Sequence, residues 1–231
     1  CNAAEVRRLI ALRGDRVVGC CSCRMTFPRY AAAAARCVAS GALGDIRVVR
    51  CRALLPAAPA PMSPPPAWRQ SMTLNGGGIL VNWSCYELDY LLHILDWRLK
   101  PEHVLAAWWP PAAAMADYVA PGSDADAHYT ALIRCAGGTV LSMERAEMST
   151  CSGDRAWEII GGRGTLHMPL LSSANDPGRV VLDRFVRGKG VVSKTLWEGP
   201  LKRVDTDNVI TDFMRAIRSG GRTRTTLEHA L

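Results

Sequence analysis

From Asp45 to Trp197 the chain is a succession of short apolar segments: IRVVRCRALL, HYTALIRC, TVLSMERAEM, WEIIG, GTLHM, RVVLDRFV and VVSKTLW. Several alternate apolar and polar residues with a period of two, which places one face of each strand against a core. Consecutive strands joined by short turns predict an antiparallel sheet, and GGRG at 161–164 predicts a tight hairpin between two of them. Two interruptions break the series. PAAPAPMSPPP at 56–66 is too rich in proline for a central strand and reads as a surface loop, as does PPAAAMADYVAPGSDAD at 110–126.

Helices are predicted around this series. Asn2 with Glu5 forms a capping-box pattern, and Val6, Leu9 and Ile10 recur at helical spacing until Gly14. Arg16 to Cys23 has the length and apolarity of a strand, and Pro28 opens a second helix that runs through the alanines to Gly41. Helix, strand, helix is the wiring of an α/β unit and the sort of piece that closes a doubly wound sheet, yet one strand cannot make a sheet. Val209, Ile210, Phe213 and Ile217 mark a helix ended by Gly220 and Gly221, and Thr225 with Glu228 resembles a capping box for one more. With no Met at position 1 and a stop at TTLEHAL, both ends read as cut.

Composition narrows the function classes. The 231 residues are 48% apolar, enough for a sizeable core, yet no run reaches the roughly 18–20 apolar residues of a membrane span. The net charge of +7 is spread along the chain without an aromatic RNA signature, so no nucleic-acid partner and no membrane partner are expected. Nine cysteines, scattered in apolar segments, read as reduced thiols and point to the cytoplasm. Cys20 and Cys23 form a C-x-x-C pair with no second ligand pair, and the five histidines lack metal spacing, so no metal is expected. Neither G-x-S-x-G nor a phosphate-binding glycine fingerprint occurs.

The segment richest in chemistry is NGGGILVNWSCYELDYLLHILDW, residues 75–97. Leu88, Leu91, Leu92 and Leu95 fall at i, i+3, i+4 and i+7 and predict a core-facing stripe. At about 100° per residue, Asn82, Tyr86, Asp89 and His93 share the opposite face. On residues alone, such a polar stripe is an ordinary solvated face, and Asn82 serves equally as a helix cap or as a hydrogen-bonding partner for a ligand.

At this point the sequence resembles the Gfo/Idh/MocA oxidoreductases (glucose-fructose oxidoreductase, inositol dehydrogenase and rhizopine-catabolism proteins). That family opens a helix with a glycine triplet followed by D-x-G-x-H-x-x-D; here the triplet is Gly76, Gly77 and Gly78, and the matching positions are Asn82, Ser84, Tyr86 and Asp89. Arg24, Pro28 and Tyr30 resemble its R-x-x-P-x-Y entry with one more residue between Arg and Pro, SGALGDI at 40–46 its turn into the sheet, and GGRGTL its hairpin; Trp68 and Arg69 precede the triplet as its Trp does. The ending DFMRAIRSGGRTRTTLEHAL resembles its closing helix and turn.

The resemblance implies an α+β fold: an open-faced, predominantly antiparallel sheet with helices on one face, at 28–231, preceded by a remnant of a Rossmann-type dinucleotide-binding domain at 1–27. It implies hydride transfer between NAD or NADP and a hydroxyl-bearing carbon of a sugar, cyclitol or related polyol. Tyr86 stands where the family usually has His and is the implied catalytic proton carrier, as in family members that use Tyr there. Asn82, Arg24 and Trp68 are implied substrate contacts, and Asp89 a structural residue of the helix. The family's E-K-P lysine and glycine fingerprint would lie upstream, so the cofactor-binding residues are not in this chain and activity is expected of the intact parent protein only. A homo-oligomer through the open sheet face is implied as well. The alternative reading is a non-catalytic binding or oligomerisation module derived from this family, motivated by Tyr86 and Asn82 in place of His and Asp.

Overall fold

The computed structural model describes residues 2–59, 63–64, 66–170, 177–201 and 207–231. Five helices are described: α1 (Ala3–Leu12), α2 (Arg29–Ala39), the single turn α3 (Met72–Asn75), α4 (Cys85–Ile94) and α5 (Asp207–Ser219). The strands are β1 (Ile46–Pro56), β2 (Pro101–Trp109), β3 (His128–Cys135), β4 (Val140–Ser149), β5 (Asp154–Gly161), β6 (Thr165–Met168), β7 (Gly178–Val186) and β8 (Gly190–Gly199). They form one sheet in the order β2-β3-β4-β1-β5-β6-β7-β8. The fold is the expected α+β arrangement with a mostly antiparallel open sheet.

Two features of the sheet depart from the sequence expectation. β1 and β4 are parallel, because the helical segment after β1 carries the chain across to the β2 edge before it returns. β2 is an additional strand, and every one of its residues is exposed. With neither face covered, it carries no two-residue alternation by which to be read.

One face of the sheet is closed by α2 and α4. The small side chains of Ala31, Ala33 and Ala34 let α2 approach closely, and Tyr30 meets Tyr90 of α4 edge-on at 6.0 Å and Trp197 of β8 at 5.6 Å. Val49 and Cys51 of β1, Met143 of β4, Ile159 of β5 and Leu182 of β7 fill the layer beneath. The GGRG hairpin joins β5 to β6, with Gly161 N–H bonded to the Gly164 carbonyl at 2.9 Å, and the turn at 40–46 clasps it through Arg163 N–H to Leu43 O at 2.8 Å. A side chain at Gly161 would collide with the Leu43 carbonyl, at 2.2 Å from its Cβ.

The opposite face is open, and its central rows are charged rather than apolar. Arg50 pairs with Glu158 at 2.7 Å, Arg52 with Asp154 at 2.8 Å, and His167 lies 2.9 Å from both Glu158 and Asp183. Exposed apolar side chains gather toward the ends of the sheet, with Leu105 and Leu132 at one and Phe185 and Val191 at the other.

The N-terminal segment also differs. α1 forms with the Asn2–Glu5 capping box intact, but Arg16 to Cys23 is not a strand. Cys20 N–H instead donates to the Thr225 carbonyl at 2.9 Å, and residues 21–26 wind into a 3-10 turn. A lone apolar segment has no ladder to join here, so the tail at 223–226 supplies its partners. Thr225 and Glu228 form no capping box: the last turn, Glu228–Ala230, starts from Leu227 without a side-chain cap. Of the two expected loops, 110–126 contains a 3-10 turn at Ala113–Tyr118, while residues 60–62 and 65 of the proline-rich one lie outside the described residues.

α4 is buried on two sides. Leu91 and Leu95 are buried as expected, whereas Leu88 and Leu92 are half-buried; Glu87, Tyr90 and Ile94 complete the face turned to the sheet. Asp89, placed by periodicity on a solvated face, is 3% exposed because the 3-10 turn at 21–26 packs over it. The contact between α4 and the sheet is centred on an ion pair, Glu87 with Arg145 of β4, both side chains 0% exposed. Tyr129 of β3 donates to Ser84 Oγ, which donates in turn to Glu87 Oε2 at 3.4 Å. Burial pushes the Glu87 carboxyl up, and the Arg145 guanidinium opposes that shift.

The start of this helical segment is fixed by Asp126. Its carboxylate accepts from the N–H of Gly78 at 2.6 Å and of Leu80 at 2.8 Å, and its carbonyl from Ile79 N–H at 2.8 Å. The approach is so close that a Cβ on Gly78 would lie 2.0 Å from the Asp126 carbonyl oxygen, which makes glycine obligatory there.

Two stability outcomes follow. Arg145→Met leaves Glu87 buried without its counter-ion and is expected to cost about 3–5 kcal/mol in urea unfolding, whereas the Glu87→Leu/Arg145→Met pair recovers much of it. A single-variant loss under about 1 kcal/mol would show that the pair does not hold the helix to the sheet. Asp126→Ala strips the acceptor from two N–H groups and is expected to cost on the order of 2–4 kcal/mol; a melting temperature equal to wild type would remove it as the anchor.

Candidate functional site

The residues singled out from sequence converge on the start of α4. Gly76, with φ +77°, ends α3 in the left-handed conformation; Gly77 and Gly78 pass the chain beneath Asp126, and Leu80–Ser84 form a π-helical turn that runs into α4. Such turns shift the phase of the side chains that follow and recur at functional sites. Here the turn displays Asn82, Trp83 and Tyr86 along one rim.

Tyr86 lies between an arginine and a tryptophan. The Arg24 guanidinium, from the 3-10 turn at 21–26, sits over its ring at 3.5 Å from the centroid, and Trp83 meets it edge-on at 5.8 Å. Arg24 also lies 5.3 Å from the Trp83 ring centroid, and the buried Arg145 5.0 Å from it. These cation–π contacts lock the two aromatic planes to the buried ion pair. Among the described residues, the Tyr86 hydroxyl has no hydrogen-bond partner, so it can serve a ligand as donor or acceptor.

Asn82 is not the helix cap, a role that Asp126 takes. Its amide donates to the Arg69 carbonyl at 3.2 Å, and Asn75 donates to the same oxygen at 3.1 Å, which ties the segment carrying Trp68 to the helix start. Trp68 is 50% exposed, with the Arg69 guanidinium 5.7 Å from its ring. Asp89 accepts from Ser22 Oγ at 2.6 Å and faces the 3-10 turn rather than the rim. Burial raises its carboxyl, with the Ser22 hydrogen bond opposing. His93 is half-buried near the end of α4, and desolvation lowers its pKa.

Trp83, Glu87, Asp126, Arg145 and Glu147 were not picked out from sequence. For Arg145 a signal existed: it continues the inward phase set by Leu141 and Met143 of β4, so alternation alone marks a charge aimed at the core. Asp126 carried no such signal, since its partners lie 46 and 48 residues away.

The cysteines show no reactive pattern. The eight described are free, Cys23 is buried with its thiol pushed up to about 12 by burial, and Cys20 is raised by the same cause. No group of three His, Cys, Asp or Glu that could hold a metal occurs among the described residues, and no described helix is long and apolar enough to cross a membrane. The glycine triplet does not fit a dinucleotide phosphate: the N–H groups that would cradle an anion already bind the Asp126 carboxylate.

Comparison with known proteins places this arrangement. The chain resembles the Caulobacter crescentus aldose-aldose oxidoreductase solved with glycerol (TM-score 0.71, 16% identity, 98% of this chain and 62% of that one). It also resembles levoglucosan dehydrogenase in its apo form (TM-score 0.71, 20%, 98% and 64%), a protein also solved with NADH and with NADH and L-sorbose. A third is UDP-N-acetylglucosamine 3-dehydrogenase of Acidithiobacillus ferrooxidans (TM-score 0.65, 17%, 98% and 62%). The chain therefore spans less than two thirds of the length of these oxidoreductases. A search of curated proteins by sequence finds no match. Residues 31–167 match the family model for the GFO/IDH/MocA C-terminal domain, and the chain belongs to that family.

Proposed function

We propose that this chain is the substrate side of an NAD(P)-dependent oxidoreductase that moves a hydride between nicotinamide and a hydroxyl-bearing carbon of a sugar, cyclitol or related polyol. The observation that carries the reading is the Tyr86 hydroxyl, without a hydrogen-bond partner among the described residues, on a ring fixed by Arg24 at 3.5 Å, one helical turn beyond Asn82. Oxidising such a carbon requires the hydroxyl to lose a proton, and a positioned phenol relays it. Asn82 and Arg24 orient neighbouring hydroxyls, and the exposed face of Trp68 covers the apolar side of the ligand. Sugar and polyol ligands in the solved relatives support the substrate class.

The nicotinamide belongs to a part of the parent protein outside this chain. Residues 1–27 form the remnant of that dinucleotide-binding part, and 28–231 the substrate-binding and oligomerisation domain. Exposed Leu9 and Leu12 on α1, with Ile210 and Ile217 on α5, provide apolar surface for a further domain to cover. In the parent protein, Tyr86→Phe is expected to lower kcat by about 10²–10⁴-fold while KM changes little. An unchanged kcat would take Tyr86 out of the mechanism.

The second element of the reading is self-association through the open sheet face. Its paired charges, Arg50 with Glu158 and Arg52 with Asp154, flanked by Leu105 and Phe185, suit a self-complementary two-fold contact. Light scattering is expected to give a dimer or larger species, reduced by Leu105→Lys or Phe185→Lys. A monodisperse wild-type monomer at working concentration would overturn it.

A further inference from the structure

At its far end, β4 changes phase. Leu54 of β1 is paired with Ala146, but Pro56 with Ser149, so Glu147 and Met148 together oppose the single residue Leu55. This is a β-bulge, and Met148 holds it with φ +57°, a conformation that L side chains rarely adopt. Backbone strain of this kind persists where the surrounding fold enforces it, and it aims the residue beside it.

That residue is Glu147. It lies two positions beyond Arg145 in the inward phase, with its N–H anchored to the Ala127 carbonyl at 2.9 Å. The side chain reaches a small cleft at the start of the π-helical turn, shared with Gln70, Asn82 and Met148. It faces the buried Arg145 at 3.6 Å, the Asp126 carboxylate lines the same cleft, and 37% of the Glu147 side chain stays exposed. Among the described residues, the carboxylate keeps acceptor capacity beyond its contact with Arg145. Desolvation pushes the carboxyl up and Arg145 opposes this.

The cleft measures about 50 Å³. A cleft of this size admits a water or a hydroxyl-sized group rather than a whole sugar ring. Its acceptors are the carboxylate of Glu147 and the amide oxygen of Asn82, since the Gln70 amide oxygen already accepts from Ala120 N–H at 3.3 Å and Ser123 Oγ at 3.1 Å; they match hydroxyl donors on neighbouring carbons. A ligand carboxylate entering the same cleft would meet the like charges of Glu147 and Asp126.

We propose that Glu147 is a substrate-recognition residue: its carboxylate accepts hydrogen bonds from a hydroxyl pair at the non-reacting end of an uncharged sugar or polyol and rejects sugar acids. The proposal rests on the polyol reading above and adds the group that selects among polyols. Glu147 is distinct from Tyr86, which handles the reacting hydroxyl.

The test is an amide chemical-shift titration of the isotope-labelled chain with D-glucose and with D-gluconate. Wild type is expected to show glucose-dependent shifts at Asn82 and Glu147 and at least tenfold weaker binding of gluconate. Glu147→Gln, isosteric and uncharged, is expected to weaken glucose about tenfold, the loss of one charge-assisted hydrogen bond, and to erase most of the preference. Equal binding of the two ligands by wild type would overturn the proposal without relying on any variant. So would a preference that Glu147→Gln leaves intact while the spectrum elsewhere is native. In that last case, shifts at Asn82 would preserve the polyol reading, which stands or falls separately on the kcat of Tyr86→Phe.

Discussion

A buried ion pair ties the helical layer of this domain to its sheet, within the apolar core they share. Glu87 of α4 and Arg145 of β4 meet with no solvent access, and the desolvation of two charges is offset only because each finds the other in good geometry. The surroundings are organised to serve them: Ser84 and Tyr129 extend the hydrogen-bonded chain on the carboxylate side, and Trp83 lies against the guanidinium. An apolar contact at this point would tolerate sliding of the helix across the sheet. A charged pair does not, since displacement of an ångström or two leaves both groups unpaired in a low-dielectric interior.

The rim inherits its order from that constraint. Trp83 is held between the helix and Arg145, Tyr86 is held by Trp83 and Arg24, and Arg24 is delivered by a 3-10 turn that Asp89 fastens to α4 through Ser22. Each exposed polar group at the site therefore traces back, in one or two contacts, to a buried one. The other end of the segment is pinned by Asp126 with equal economy, since one residue caps two N–H groups and forbids a side chain at Gly78. That capping also explains why the glycine triplet serves helix geometry in this chain and not phosphate binding.

The two faces of the sheet divide the labour. The covered face carries the core and, at its edge, the rim with Tyr86, Asn82 and Glu147. The open face carries rows of paired charge whose members satisfy one another laterally across β1, β5, β6 and β7. Exposed ion pairs of this kind contribute little stability each, but they fix register and leave a surface that is neither fully wet nor fully apolar.

Much of this was legible from the chain alone. Period-two alternation located seven strands, and turn residues located the hairpin and the helix ends, because these signals arise between neighbours in sequence. Asn82 and Tyr86 were singled out by resemblance to the family's motif, since on periodicity alone they belong to an ordinary solvated stripe. Tertiary structure decided the rest. The parallel pairing of β1 with β4, the uncovered edge strand β2 and the loss of the strand at 16–23 all depend on which segments find partners. The burial of Asp89 and Glu87 depends on what packs over α4 from outside it, and the roles of Asp126 and Glu147 on residues tens of positions away. Local patterning states which face of an element is apolar. Only the assembled layers determine which polar group is shut away from water and must therefore find a partner there.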